Sequence, residues 1–404
     1  MASERWKDDI AYAMTPIKLI TWPIGVWPLQ VYNFYSILRS IFGICLSGIV
    51  MILPPIEVYM GCTNAEKSVD SIMFTFAGLL GVLKTIWFRI YANNLINNYK
   101  SAVKDYIAIK NVEERIIMRK HVFMSRIASF PLLFCSYYAA VVFTLTALMM
   151  NHDERNVTDE NMMLEYPLPS KCTLKYFHAP TSMYKIFFII QSMSLIIVSN
   201  CNKGSDALFI NIILHICGQM KILRSHFANV DATNSQIYDR FKKLIQRHIY
   251  LIEMTRKLVD VMSFILLLEL FITSICLCVM GFQFIVALKE KDVVKMAQSL
   301  MVQIVFLVTL SVYSFIGRYL KSQMEDIGYS IYQIAWYEFP MKLTRNLVFI
   351  FMQTEGPAML QAGNFIVYVN CDDLQYKEKS ERAMYFHFGQ TEIIIYNRIN
   401  VEMK

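Results

Sequence analysis

No two cysteines in this sequence are spaced to hold a metal or to cycle between thiol and disulfide. The nine cysteines stand singly, at Cys45, Cys62, Cys135, Cys172, Cys201, Cys217, Cys276, Cys278 and Cys371. There is no CxxC, and Cys276 and Cys278 lie inside an apolar run. Metal binding and redox chemistry are therefore not expected, and most of these residues read as small apolar packing groups. Cys62 and Cys172 could meet outside a membrane. Enzyme signatures are missing too: no Gly-rich phosphate loop, no HExxH and no GxSxG occurs. No catalytic residue, metal or cofactor is expected on that basis. The apolar segments lack paired carboxylates that would suggest proton coupling, and neither an internal repeat nor a low-complexity segment is present. The opening MASERWKDDIAYAM is polar and leads into no short apolar core with a small-residue site. A cleavable leader is thus not expected, and the first spanning helix serves as the targeting signal. Charge is sparse, with 18% Asp, Glu, Lys and Arg and a net +7. That excess reads as cytoplasmic loops rather than as a nucleic-acid partner.

What the sequence has is apolar length. Of 404 residues 55% are apolar and 14% aromatic, in blocks that match the ~20 helical residues needed to cross a bilayer. The expected fold class is all-α, a multi-pass transmembrane helical bundle. Six spans are read at 34–59, 71–91, 124–150, 184–202, 261–288 and 293–316. Residues 1–33 carry Trp6, Trp22 and Trp27 with Pro16, Pro23 and Pro28, a mixture suited to an interfacial segment with Trp at head-group level. The organisation expected is 1–33 as this N-terminal segment, 34–316 as the bundle with cytoplasmic helical extensions, 317–365 as further cytoplasmic helices, and 366–404 as a polar tail.

Basic residues set the orientation. The 92–126 connection holds seven Lys and Arg and the 216–257 connection eight, against one in 61–70 and three in 151–183. Cytoplasmic loops collect the basic residues, so the connections after spans two, four and six are cytoplasmic, as is the N-terminus. The sequon Asn156-Val157-Thr158 then falls outside, where Asn156 can be glycosylated.

Single residues invite sharper readings. Lys84 sits about two turns from the end of its span and is expected to snorkel to the interface. Asp206, close to Asn200, Asn202 and Lys203, is expected at a solvated interfacial position, with 206–223 continuing span four beyond the bilayer. Residues 237–258 are amphipathic: Ile237, Phe241, Leu244, His248, Leu251, Thr255 and Leu258 share one face. His248 on that face reads as a packing histidine. The Pro- and aromatic-rich stretch YPLPSKCTLKYFHAP suits a lid on the outer surface.

From the sixth span onward the sequence resembles the insect odorant receptor family. The residues concerned are Tyr313 and Gly317, Tyr332-x-x-x-Trp336, Pro340, Arg345, Leu347, Met352-Gln353, Pro357 and Ala362-Gly363-x-Phe365. Tyr166 to Pro169, Gln191, Asp206…His215…Gly218-Gln219, His248 and the Trp/Pro-rich start add to it, so that the resemblance covers about residues 15–365. It implies seven spans and a cytoplasmic N-terminus. It further implies assembly with a co-receptor subunit into a heterotetrameric cation channel opened by odorants, in the plasma membrane of olfactory sensory neurons. The odorant pocket would lie in the outer half of the subunit among spans two, three, four and six. Placed by depth, that implies Phe74 and Phe76, Tyr138, Val142 and Leu145, Phe187 and Gln191, and Gln303 and Phe306. The cytoplasmic extensions would anchor the subunits, implying His248, Tyr332, Trp336, Gln353 and Pro357. The partners implied are an odorant, the co-receptor and membrane lipid.

One departure stands out. After Phe365 the family continues with an apolar, pore-lining helix, whereas this chain reads IVYVNCDDLQYKEKSERAMYFHFGQ, with Asp372, Asp373, Lys377, Glu378, Lys379, Glu381 and Arg382 inside it. A charge at mid-membrane costs ~3 kcal/mol, so a seventh span is not expected there, nor is an odorant current from this chain. Alternatives are a G-protein-coupled receptor, which the charge bias opposes, a gustatory-type receptor, and a transporter, which calls for repeats and mid-membrane helix breaks.

Overall fold

In the computed structural model, residues 5–62, 65–154, 166–176, 183–230, 237–333, 361–362 and 365–366 are described. Ten α-helices carry the fold: α1 (Arg5–Thr21), α2 (Phe34–Tyr59), α3 (Ala65–Ile90), α4 (Ala92–Ala108), α5 (Val112–Glu154), α6 (Lys171–Tyr176), α7 (Tyr184–Ser199), α8 (Ser205–Ala228), α9 (Ile237–Glu290) and α10 (Val293–Tyr332). The other regular elements described are a π-helical turn, Asn200–Gly204, and two-residue strands at Gln361–Ala362 and Phe365–Ile366. All ten helices lie within the compact unit 1–365. Trp336, Gln353, Pro357, Asn156 and nearly all of the 366–404 tail lie outside the described residues.

Six helical segments are long and apolar enough to cross a membrane: Phe34–Tyr59, Lys67–Ile90, Val112–Met149, Tyr184–Ala228, Ile237–Glu290 and Lys295–Tyr332. They are the six spans read from hydropathy: the first has the bounds expected, and each of the other five is extended at one end or both. The 54-residue α9 extends about 80 Å at 1.5 Å per residue, far more than a ~30 Å hydrocarbon layer. The amphipathic 237–258 segment is therefore the first part of one continuous helix. Within the spans, many hydroxyls turn back on their own helix: Thr85 donates to the Gly81 carbonyl (2.8 Å), Thr144 to Ala140 (2.9 Å) and Ser194 to Ile190 (2.8 Å). This removes their need for water inside lipid.

The α2–α3 pair packs backbone to backbone. A Cβ on Gly78 would lie 2.6 Å from the Met51 nitrogen and 2.9 Å from the Ser47 carbonyl oxygen, so only glycine permits this approach. Helix α8 is the pillar of the other half, with nearly every side chain buried. Around it a polar lattice ties the helical extensions together. Asp105 of α4 accepts from Arg247 of α9 (2.6 Å) and pairs with His215 of α8 (3.1 Å), and Arg247 also reaches Gln219 (3.0 Å). Within the N-terminal segment, residues 5–33 pack onto the bundle. Helix α1 is clamped to α5 by Asp9–Arg115 (2.5 Å) and Asp9–Arg119 (3.1 Å). Trp27 is buried edge-on against Tyr99, while Trp22 is half exposed beneath the Arg39 guanidinium.

Candidate functional site

A cavity of about 190 Å³ lies between α3, α5, α7, the π turn, α9 and α10. Its walls are stripes at helical spacing. On α10 they are Gln298, Met301, Val302, Val305 and Phe306; on α9, Ile272, Thr273, Cys276 and Met280; on α5, Cys135, Ser136, Ala139, Ala140 and Phe143. Steps of three and four keep each set on one helix face. Met73, Phe74, Phe76, Ala77 and Leu80 complete the wall from α3.

Residues 166–176 of the Pro-rich stretch, expected to form a lid, pack against these walls. Leu168 is buried in one cluster with Val50, Phe74, Ala140, Leu195 and Val198. Three attachments hold it. The Gln191 amide accepts from the Leu168 N–H (3.2 Å) and donates to Ser170 Oγ (2.8 Å). The Glu57 carboxylate, buried at the end of α2, accepts from the N–H groups of Cys172 and Thr173 and from the Thr173 hydroxyl, each at 2.8 Å. A disulfide joins Cys172 to Cys62 across 110 residues of chain, the pairing that the sequence left open.

At the opposite end the cavity reaches a buried charge network. Asn202, Lys203 and Glu269 line it there. Lys84 Nζ pairs with Asp206 (2.5 Å) and with Glu269; Lys203 Nζ pairs with Glu269 (3.0 Å) and with Asp206 (3.4 Å). The Lys84, Asp206 and Glu269 side chains are at most 4% exposed. Two cations thus meet two anions with almost no water, the arrangement that makes buried charge tolerable. The Tyr313 ring lies buried next to Asp206 and Glu269. The π turn places Lys203 and Asp206 together, and such turns recur at functional sites.

This corrects two expectations. Lys84 does not snorkel: its side chain is wholly enclosed because two carboxylates, 122 and 185 residues away in sequence, meet it inside. Asp206 is not solvated but 0% exposed for the same reason. The carboxylate pair that appeared to be missing from the spans is Asp206 with Glu269, which reading each helix separately does not reveal. One signal was present, a glutamate in the middle of the apolar run SFILLLELFITSICLCV.

Of the nine residues placed by depth, Phe74, Phe76 and Phe306 line the cavity. Tyr138 and Leu145 are about half exposed on the opposite face of α5 from Ser136, Ala140 and Phe143. Val142 shares that outward side, and Phe187 and Gln303 are partly buried outside the lining. Gln191 is buried with its amide committed to the lid. Among the residues implied for subunit anchoring, His248 is 1% exposed within its own chain. Burial pushes its pKa down to about 4, keeping the ring neutral. Tyr332 is exposed at the end of α10.

Comparison with known proteins agrees with this architecture. Residues 64–369 match the family model described as 7tm Odorant receptor. Odorant receptor 13a of Drosophila melanogaster is 24% identical over 301 residues, 67% of this chain and 69% of that protein. Odorant receptor 82a of Drosophila melanogaster is 21% identical over 208 residues, 50% of this chain and 52% of that protein. Among solved structures, the insect olfactory receptor OR5 from Machilis hrabei superposes with a TM-score of 0.71 at 13% identity, covering 93% of this chain and 96% of that one. The same receptor in complex with eugenol gives 0.69 at 14% identity, covering 94% and 98%. The fold is thus that of an insect olfactory receptor, and with the family model spanning most of the sequence, this chain belongs to the 7tm odorant receptor family.

Proposed function

We propose that this chain is an odorant receptor subunit that takes a small volatile molecule into the cavity between α3, α5, α7, α9 and α10. The observation that carries the reading is the cavity itself. Five helices turn apolar stripes towards one space, and a segment pinned through Gln191, Glu57 and the Cys62–Cys172 disulfide packs against its walls. Dispersion and desolvation dominate binding in such a site, with Phe74, Phe76 and Phe306 as aromatic walls. The structural neighbour in complex with eugenol supports a ligand of this size class.

The subunit sits in the plasma membrane of olfactory sensory neurons with its N-terminus cytoplasmic. Two things support the orientation. Lys and Arg concentrate in 92–126 and 216–257, and the disulfide lies in the two connections poor in them, where an oxidising exterior lets it persist. Conduction requires a co-receptor and a cation pathway. An odorant opens that pathway only by binding the open state more tightly than the closed one. The exposed Tyr332 belongs to the surface that would meet other subunits; the buried His248 contributes only by holding α9 in place. The tail at 366–404 carries charge where the pore helix belongs, so this subunit binds odorant without passing an evoked current.

The test is titration of the purified full chain in lipid nanodiscs with eugenol, followed by thermal stability, beside current recordings from cells co-expressing a co-receptor. Saturable stabilisation without evoked current is expected. Absence of any stabilisation overturns the binding reading, and a robust current overturns the reading of the tail.

A further inference from the structure

The cavity is mostly apolar, with Asn202, Lys203 and Glu269 together at one end, and that end selects among ligands. We propose that Lys203 donates a hydrogen bond to an oxygen of the bound molecule. The cavity then favours neutral, oxygen-bearing volatiles and discriminates against carboxylates. This rests on the reading of the cavity as the odorant site.

Three observations carry it. First, Lys203 lines the cavity, and its side chain keeps 12% exposure, whereas Lys84, Asp206 and Glu269 keep 0%, 1% and 4%. Of the four network groups it is the most accessible to a ligand, Glu269 being the other that reaches the cavity lining. Second, an ammonium has three N–H donors. Among the described residues, Lys203 Nζ has Glu269 at 3.0 Å and Asp206 at a long 3.4 Å. One donor remains for a ligand acceptor, and a charge-assisted bond is roughly twice as strong as a neutral one. Third, the network contains two ammonium groups and two carboxylates. It is balanced, and the further charged residue on the lining, Asp70, is an anion, so a carboxylate ligand would bring in a charge with no counter-ion, at the cost that buried unpaired charge carries.

Size narrows the class further. A cavity of about 190 Å³ is somewhat larger than the ~150 Å³ engineered cavity that binds benzene. A benzene ring with a short oxygenated substituent is the fitting shape, its ring against Phe74, Phe76 and Phe306 and its oxygen towards Lys203.

The test uses three molecules of nearly one shape, cumene, acetophenone and benzoate, each titrated against the full chain in nanodiscs with thermal stability as the readout. A wholly apolar cavity would rank cumene ahead of acetophenone by about tenfold or more, because the carbonyl loses its water and gains nothing. With the Lys203 donor, acetophenone binds at least as tightly as cumene, and benzoate binds at least tenfold more weakly than acetophenone. The double variant Lys203→Met/Asp206→Asn keeps Lys84 and Glu269 as a balanced pair. In it the ratio of acetophenone to cumene affinity falls about tenfold. Should that variant not fold, the wild-type series still decides. Cumene binding more tightly than acetophenone, or benzoate binding as tightly as acetophenone, overturns the inference and leaves the odorant cavity standing. No binding by any of the three overturns both.

Discussion

Replacing Lys84 by methionine removes the cation that two buried carboxylates share. The Lys84 side chain is 0% exposed, with Asp206 at 2.5 Å and Glu269 in direct contact. Taking one partner from a buried ion pair costs about 3–5 kcal/mol, because the remaining charge is stranded away from water. Here Lys203 stays within 3.0 Å of Glu269 and 3.4 Å of Asp206, so neither carboxylate is abandoned. The expected loss is at the lower end, about 3 kcal/mol. Denaturant unfolding of the chain in mixed micelles, followed by tryptophan fluorescence, gives the value. The double variant Lys84→Met/Glu269→Gln restores balance with Lys203 and Asp206, and recovers at least about 1 kcal/mol of what the single change lost. A snorkelling lysine behaves differently. Its replacement by methionine would cost under about 0.5 kcal/mol, and the two changes would simply add. Either of those results refutes the reasoning.

Other consequences follow from single contacts. Gly78→Ala drives a methyl to 2.6 Å from the Met51 backbone nitrogen and should cost about 1–3 kcal/mol. Gly48→Ala, with nothing within 4 Å, should be neutral or stabilising by up to about 1 kcal/mol, and thermal melts of the two variants compare them directly. Gln191→Leu strips the Leu168 N–H and Ser170 of their partner. It should cost about 1–3 kcal/mol and raise hydrogen exchange over residues 166–176 while leaving α8 protected. His248 titrates at about 4 when folded, against 6.5 ordinarily. Between those values the unfolded chain binds the extra proton, so its stabilising contribution is whole above pH 6.5. It falls by roughly 3 kcal/mol as pH drops towards 4. In His248→Leu that part of the pH dependence of unfolding should disappear.

The spans were legible because each is a local property: twenty apolar residues report themselves, and the stripe at 237–258 needs only its own period. The lid was legible for the same reason, in its prolines and aromatics. Pairings were not. Lys84, Asp206 and Glu269 look like three separate oddities until the helices close, since 122 and 185 residues separate the lysine from its partners. Depth along a helix could be read, but rotation about its axis could not. That is why Phe74, Phe76 and Phe306 face the cavity while Tyr138 and Leu145, at suitable depth on α5, face away from it. The stripe Cys135, Ser136, Ala139, Ala140 and Phe143 is no more apolar than its opposite side, so nothing in the α5 sequence marks it.

The central claim is that this cavity is where a small volatile binds. Ala139 is a partly buried residue of its α5 wall, and a phenylalanine there would occupy much of the about 190 Å³. The direct measurement is the ligand-induced shift in melting temperature for wild type and Ala139→Phe in the same nanodiscs, over a series of acetophenone concentrations. The account predicts a saturable shift in the wild type that is absent from an Ala139→Phe chain melting at or near the wild-type temperature. An undiminished shift in the filled variant would contradict it.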